Sequence, residues 1–134
     1  MRRILCVSVV ILATLIFFGC KDAVPPMPAE QQAFLDAYHA LDLHDYDAYL
    51  GFVDMEDNQD TAYVDLLKMV LNQHQEYQMK TKGSVTDVEI VDTKYEADST
   101  CTIFYRLSFS NNASEVSSQK MVCKNGIWKV KLRN

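Results

Sequence analysis

Cys20 stands where chemistry on the chain itself is expected. Arg2 and Arg3 open the sequence, residues 4–18 are almost wholly apolar, and Gly19-Cys20 end that run before the polar Lys21-Asp22. At ~1.5 Å per residue the run reaches only ~22 Å, short of a ~30 Å hydrocarbon core, so it suits the apolar region of a signal peptide better than a spanning helix. Two further cysteines, Cys101 and Cys123, lie in the C-terminal half. An acidic alternation (Asp54, Glu56, Asn58, Asp60, with Asp65 at the twelfth place) has the look of a calcium loop. Gln59 occupies the place that needs Gly, however, and Asp65 the place that needs Glu, so these acids are expected to cap helices and no metal site is expected. No phosphate loop, Cys-x-x-Cys pair or nucleophile motif is present, and no cofactor is expected.

Composition narrows the partners. The formal net charge is −5, and losing Arg2 and Arg3 with the signal would make the chain more acidic. Nucleic acid is therefore not an expected partner. No Lys or Arg occurs between Asp22 and Asp65. This acidic stretch is expected to be a solvated surface, or else a patch for a basic partner.

"FFGC" (residues 17–20) resembles the lipobox of bacterial lipoproteins, with Gly19 and Cys20 matching and Phe17 and Phe18 replacing the usual Leu and small residue. The resemblance implies that residues 1–19 are a lipoprotein signal peptide and that Cys20 becomes the acylated N-terminus. Several acyl chains would anchor it stably, at ~0.8 kcal/mol per buried CH₂. Pro25, Pro26 and Pro28 make residues 20–28 an extended tether. The implied place is the cell envelope, in the outer membrane of a Gram-negative bacterium. Lys21-Asp22 resembles the lysine-plus-acid tag for surface display, with one acid instead of two.

The remaining residues, 29–134, must build one domain. Helical spacing marks residues 29–41 (Ala33, Phe34, Ala37, Tyr38, Leu41), residues 44–54, and residues 60–82. In the last of these Tyr63, Leu66, Leu67, Val70, Leu71, His74 and Tyr77 form one broad face, and Gly83 is the expected stop. The period then changes to 2, with strands expected over 84–92, 99–109, 115–123 and 127–132. In the first, Asp87 and Glu89 share a face with Val85 and Val91, opposite Val88 and Ile90, and either face could point inward. Asn125-Gly126 is a two-residue hairpin signal that sets Cys123 opposite Trp128 and Met121 opposite Val130. A turn centred on Asn112 would set Ile103 opposite Met121 and Cys101 opposite Cys123. So opposed, in a compartment where disulfides persist, Cys101 and Cys123 are expected to bridge, closing a loop of roughly 23 residues worth ~3 kcal/mol. The alternative is two buried thiols packed as small apolar groups.

Helices followed by a four-stranded antiparallel sheet make an α+β plan. "NGIWKVKL" (125–132), with Gly126, Trp128 and Lys129, and "LHDYDAYL" (43–50) resemble small bacterial lipoproteins of unknown function with a nuclear-transport-factor-2-like, cystatin-like roll. The resemblance implies a curved sheet with a cone-shaped pocket. Tyr38, His74, Tyr77, Tyr105 and Trp128 are the polar-tipped groups on faces that could line it. No agreed catalytic residues come with the family, and no carboxylate sits clearly beside His74. The expected function is a non-catalytic, lipid-anchored module that binds a small ligand or an envelope protein. The alternatives are a small isomerase- or dehydratase-like enzyme using the cone, or an interaction protein of the immunity type with a filled core.

Overall fold

The computed structural model describes residues 26–55, 60–97 and 99–132. The signal segment, Cys20, most of the tether, and Glu56, Asn58 and Gln59 of the acidic loop lie outside the described residues. Three helices, α1 (Ala29–Asp42), α2 (Tyr46–Gly51) and α3 (Thr61–Lys82), precede four strands, β1 (Val85–Ala97), β2 (Thr100–Phe109), β3 (Ser114–Lys124) and β4 (Ile127–Val130). The α+β expectation holds. The strands form one open antiparallel sheet in the order β1-β2-β3-β4. Among the described residues no helix is long and apolar enough to cross a membrane.

Local chemistry sets the helix ends. The Pro28 carbonyl accepts from the Gln31 and Gln32 amides, each at 3.1 Å, and opens α1. Asp45 caps α2 by accepting from the Ala48 amide at 3.1 Å, and Asp60 caps α3 by accepting from the Tyr63 amide at 2.7 Å. Each satisfies an amide that has no partner inside its helix. Gly83 ends α3 at φ 85°, as expected of a glycine stop.

α2 is shorter than the sequence pattern predicts. Beyond Gly51 the chain leaves the helix and bonds to the sheet. The Asp54 amide donates to the Val130 carbonyl and the Val130 amide to the Phe52 carbonyl, both at 2.8 Å, and Val53 bridges Val130 in parallel. The free edge of β4 thereby gains partners that a longer helix would have denied it.

Two registers meet different fates. β3 pairs with β4 as the Asn125-Gly126 turn predicts, with Met121 opposite Val130 and Cys123 opposite Trp128. Asn125 and Gly126 both have positive φ, 55° and 78°, which is what a type I′ turn demands. The β2–β3 register differs from expectation by two residues. Phe109 already pairs with Ala113, through a 2.9 Å bond, and Asn112 takes positive φ (69°) inside a three-residue loop, so the turn centres on Asn111. Cys101 consequently lies opposite Met121, while the Cys123 amide bonds to the Ser99 carbonyl. The cysteines become diagonal neighbours, for which Cα separations are about 7–8 Å, beyond the usual reach of a disulfide. Both thiols are free. Cys101 is fully buried, and burial pushes its pKa up to about 11, so it packs as a small apolar group.

Bulges resolve the ambiguity of β1. Register shifts between Val85 and Asp87 and between Ile90 and Asp92 reset the alternation. Val85, Val88, Ile90 and Thr93 are half-buried, while Asp87, Glu89 and Asp92 are exposed. The core is formed by Phe34, Ala37, Tyr38, Tyr49 and Leu50 from α1 and α2, Val53, and the inner sheet residues Cys101, Ile103, Leu107, Phe109, Met121 and Val130.

Candidate functional site

A groove of about 590 Å³ runs between α1 and β1. Gln31 and Leu35 of α1 line one side, with Met27 from the tether. Val88, Ile90, Val91, Asp92, Thr93 and Tyr95 of β1 line the other. The bulge at Ile90–Asp92 brings Val91 and Asp92 into the groove wall together, which strict alternation would forbid. Leu35 and Val88 also border a smaller hollow of about 190 Å³, closed by Tyr38, His39 and Asp42.

Two hydrogen bonds tie the helix to the strand. The Gln31 amide nitrogen donates to Thr93 Oγ1 at 3.1 Å, and the Tyr95 hydroxyl donates to the buried Glu30 carboxylate. Glu30 lies in the first turn of α1, where the helix dipole favours negative charge. The bond to Glu30, followed by desolvation and the Glu30 charge, pushes the Tyr95 hydroxyl up to about 12. Folding thus favours the protonated form. Whatever this contact contributes to stability is present in full below the ordinary value of 10 and vanishes as pH climbs through about 12. Ultraviolet titration of Glu30→Gln should show one tyrosine returning toward 10. A titration superimposable on that of the unsubstituted protein would disprove the contact.

The residues predicted to line a pocket are dispersed. Tyr38 and Tyr105 do meet, with ring centroids 6.0 Å apart, but Phe34 packs on both, so they form part of the core. Only Tyr38 also opens on a hollow described here. Burial, then Tyr105, raise the Tyr38 hydroxyl far above its ordinary value, although the Gln78 side chain hydrogen-bonds to it. Trp128 is half-buried against the core at the β3–β4 hairpin. His74 and Tyr77 are exposed. α3 turns Val64, Leu67, Leu71, Gln75 and Gln78 inward, and neither His74 nor Tyr77 lines the α1–β1 groove or the smaller hollow beside it.

The groove residues Gln31, Thr93 and Tyr95, with Glu30 behind them, carried no signal as a set. β1 was expected to end at residue 92, and its continuation to Ala97 places Thr93 and Tyr95. The available clue was the renewed alternation of Thr93 and Tyr95 after the bulge. A second depression, of about 620 Å³, lies among Glu96, Thr102, Ser118, Gln119, Lys120, Lys131 and Leu132. Its charges are partly satisfied internally, by Lys120–Glu96 at 3.3 Å and Thr102–Glu96 at 2.8 Å. Among the described residues no three His, Cys, Asp or Glu groups gather as metal ligands. Asp54 instead pairs with Lys124 at 2.9 Å, and Asp60 caps α3.

Solved structures share this fold. An NTF2-like protein of Campylobacter jejuni, provisionally assigned as a transpeptidase, superposes with a TM-score of 0.62 at 16% identity, covering 77% of this chain and 98% of its own. The fold is NTF2-like. A second NTF2-like protein, of unknown function, from Shewanella oneidensis MR-1 superposes with a TM-score of 0.51 at 11% identity, covering 74% of this chain and 88% of its own. No family model matches the chain, and no curated protein matches it. At these identities the likeness concerns the NTF2-like fold alone, and the site must be argued from its own residues.

Proposed function

We propose that the chain is a lipid-anchored module of the cell envelope that binds a small ligand or a partner segment in the groove between α1 and β1. The groove carries this reading. It offers an apolar floor (Leu35, Val88, Ile90, Val91) beside hydrogen-bonding groups (Gln31, Asp92, Thr93, Tyr95), the mixture that binding sites use. A binding role is supported by Tyr95, whose hydroxyl Glu30 holds and which stands among the groove's other hydrogen-bonding groups. Anchoring is supported by Gly19-Cys20 after the apolar run, and the tether from Cys20 leads to Met27 at the groove mouth.

The test is a thermal-shift screen of the protein isolated from cells, against metabolites, glycans, lipids and short peptides. Saturable stabilisation should vanish in Val91→Arg, which blocks the groove from an exposed position, and persist in Ile127→Arg, an exposed site on β4. Hits that survive Val91→Arg would refute the groove. Metabolic labelling with a palmitate analogue tests the anchor independently, and Cys20→Ala should abolish incorporation.

A further inference from the structure

α3 is apolar on two sides, and only one of them is used. Leu66, Met69, Val70 and Tyr77 are 50%, 52%, 51% and 68% exposed. With Gln73 they fall within a stripe about 100° wide on the helix surface. Isolated exposed apolar residues need no explanation, but a stripe along three turns of one helix marks an interaction surface.

We propose that this stripe is the interface of a homodimer, in which α3 packs antiparallel against α3 of a second copy. The pattern is self-complementary. A two-fold axis level with residues 71–72 sets Leu66 of each copy at the height of Tyr77 of the other, and Val70 at the height of Gln73. In an antiparallel pair the same edge of each stripe meets. Asp65 borders that shared edge and Lys80 lies just inside it, beside Met69, and the two-fold brings Asp65 of one copy within about 3 Å, measured along the axis, of the height of Lys80 of the other. Two symmetry-related ion pairs then flank the apolar seam, as charged flanks do in other helix pairs. The neighbouring cations Lys68 and Lys82 are engaged within their own copy, by Asp47 and Glu115. Antiparallel packing also opposes the two helix dipoles. None of the residues lining the α1–β1 groove lies on α3, so the contact stands apart from the proposed binding role.

The full chain carrying Gln73→Cys, treated in whole cells with a short bis-maleimide, should give an adduct of twice the chain mass. The chain with only its native cysteines should not. Adding Asp65→Lys should cut the adduct several-fold by setting like charges together. Adding Asp65→Lys with Lys80→Asp should restore it, which also shows that the substituted chain folds. Failure to exceed the native-cysteine control would overturn the proposal. So would an adduct indifferent to Asp65→Lys, or one whose mass reveals a different protein on the stripe.

Discussion

Replacing Phe34 with alanine is expected to cost about 3–5 kcal/mol of stability, read as a lowered denaturation midpoint in urea. Phe34 is 3% exposed and packs α1 against the sheet. Its ring lies 4.7 Å from that of Tyr105 on β2 and 6.1 Å from that of Tyr38 one turn along α1. Truncation removes the buried ring, leaves a cavity between helix and sheet, and loses aromatic pairs worth about 0.5–1.5 kcal/mol each beyond their area. Domains of this size have only about 5–15 kcal/mol in hand. The variant should therefore be close to unfolding at 37 °C, and any ligand seated in the groove should be lost with the seat of α1. A loss below about 1 kcal/mol would mean that α1 is held chiefly by other contacts.

Gly83→Ala should be the next most damaging change, at about 1–3 kcal/mol from backbone strain. Gly83 sits at φ 85°, ψ −163°, a region open essentially to glycine alone. An added Cβ would also lie 2.0 Å from Ser110 Oγ, which accepts the Ser84 amide at 3.1 Å. The methyl group must displace that hydroxyl, forfeiting a bond of about 1 kcal/mol. A Gly83→Ala/Ser110→Ala chain relieves the collision but keeps the strain, so it should regain only part of the loss. Full recovery in thermal unfolding would assign the whole effect to the collision. No loss in the single variant would show that the α3–β1 corner can relax.

What was legible in the sequence was whatever rests on local signals. The cap Asp60, the stop at Gly83 and the hairpin at Asn125-Gly126 each depend on a few adjacent residues, and each stands where the pattern put it. The β2–β3 register was not legible in the same way. "SNNAS" is compatible with a turn about Asn111 or about Asn112, and a shift of two residues preserves the inward face. Met121 therefore stays buried while the cysteine pairing fails. The groove was hidden for another reason. Its strand wall depends on bulges, which appear only when a strand meets its partner. The broad seven-residue face of α3 is wider than the part of the helix that meets its own domain. Leu67 and Leu71 took that place, and Leu66, Val70 and Tyr77 were left outside.

The bonds between residues 52–54 and Val130 set a timetable for the chain as it is made. The segment leaving α2 is synthesised early, yet its backbone partners belong to the last strand. Until residue 130 emerges, Phe52 and Asp54 have nothing in the sheet to bond, and β3 has no neighbour on its far side. Contacts so distant in sequence form slowly, because the intervening chain must first be closed into a loop. The seam between β4 and residues 52–54 thus joins the end of α2 to β4 across the whole of α3 and β1–β3, and it can close only after that intervening chain has been brought back on itself.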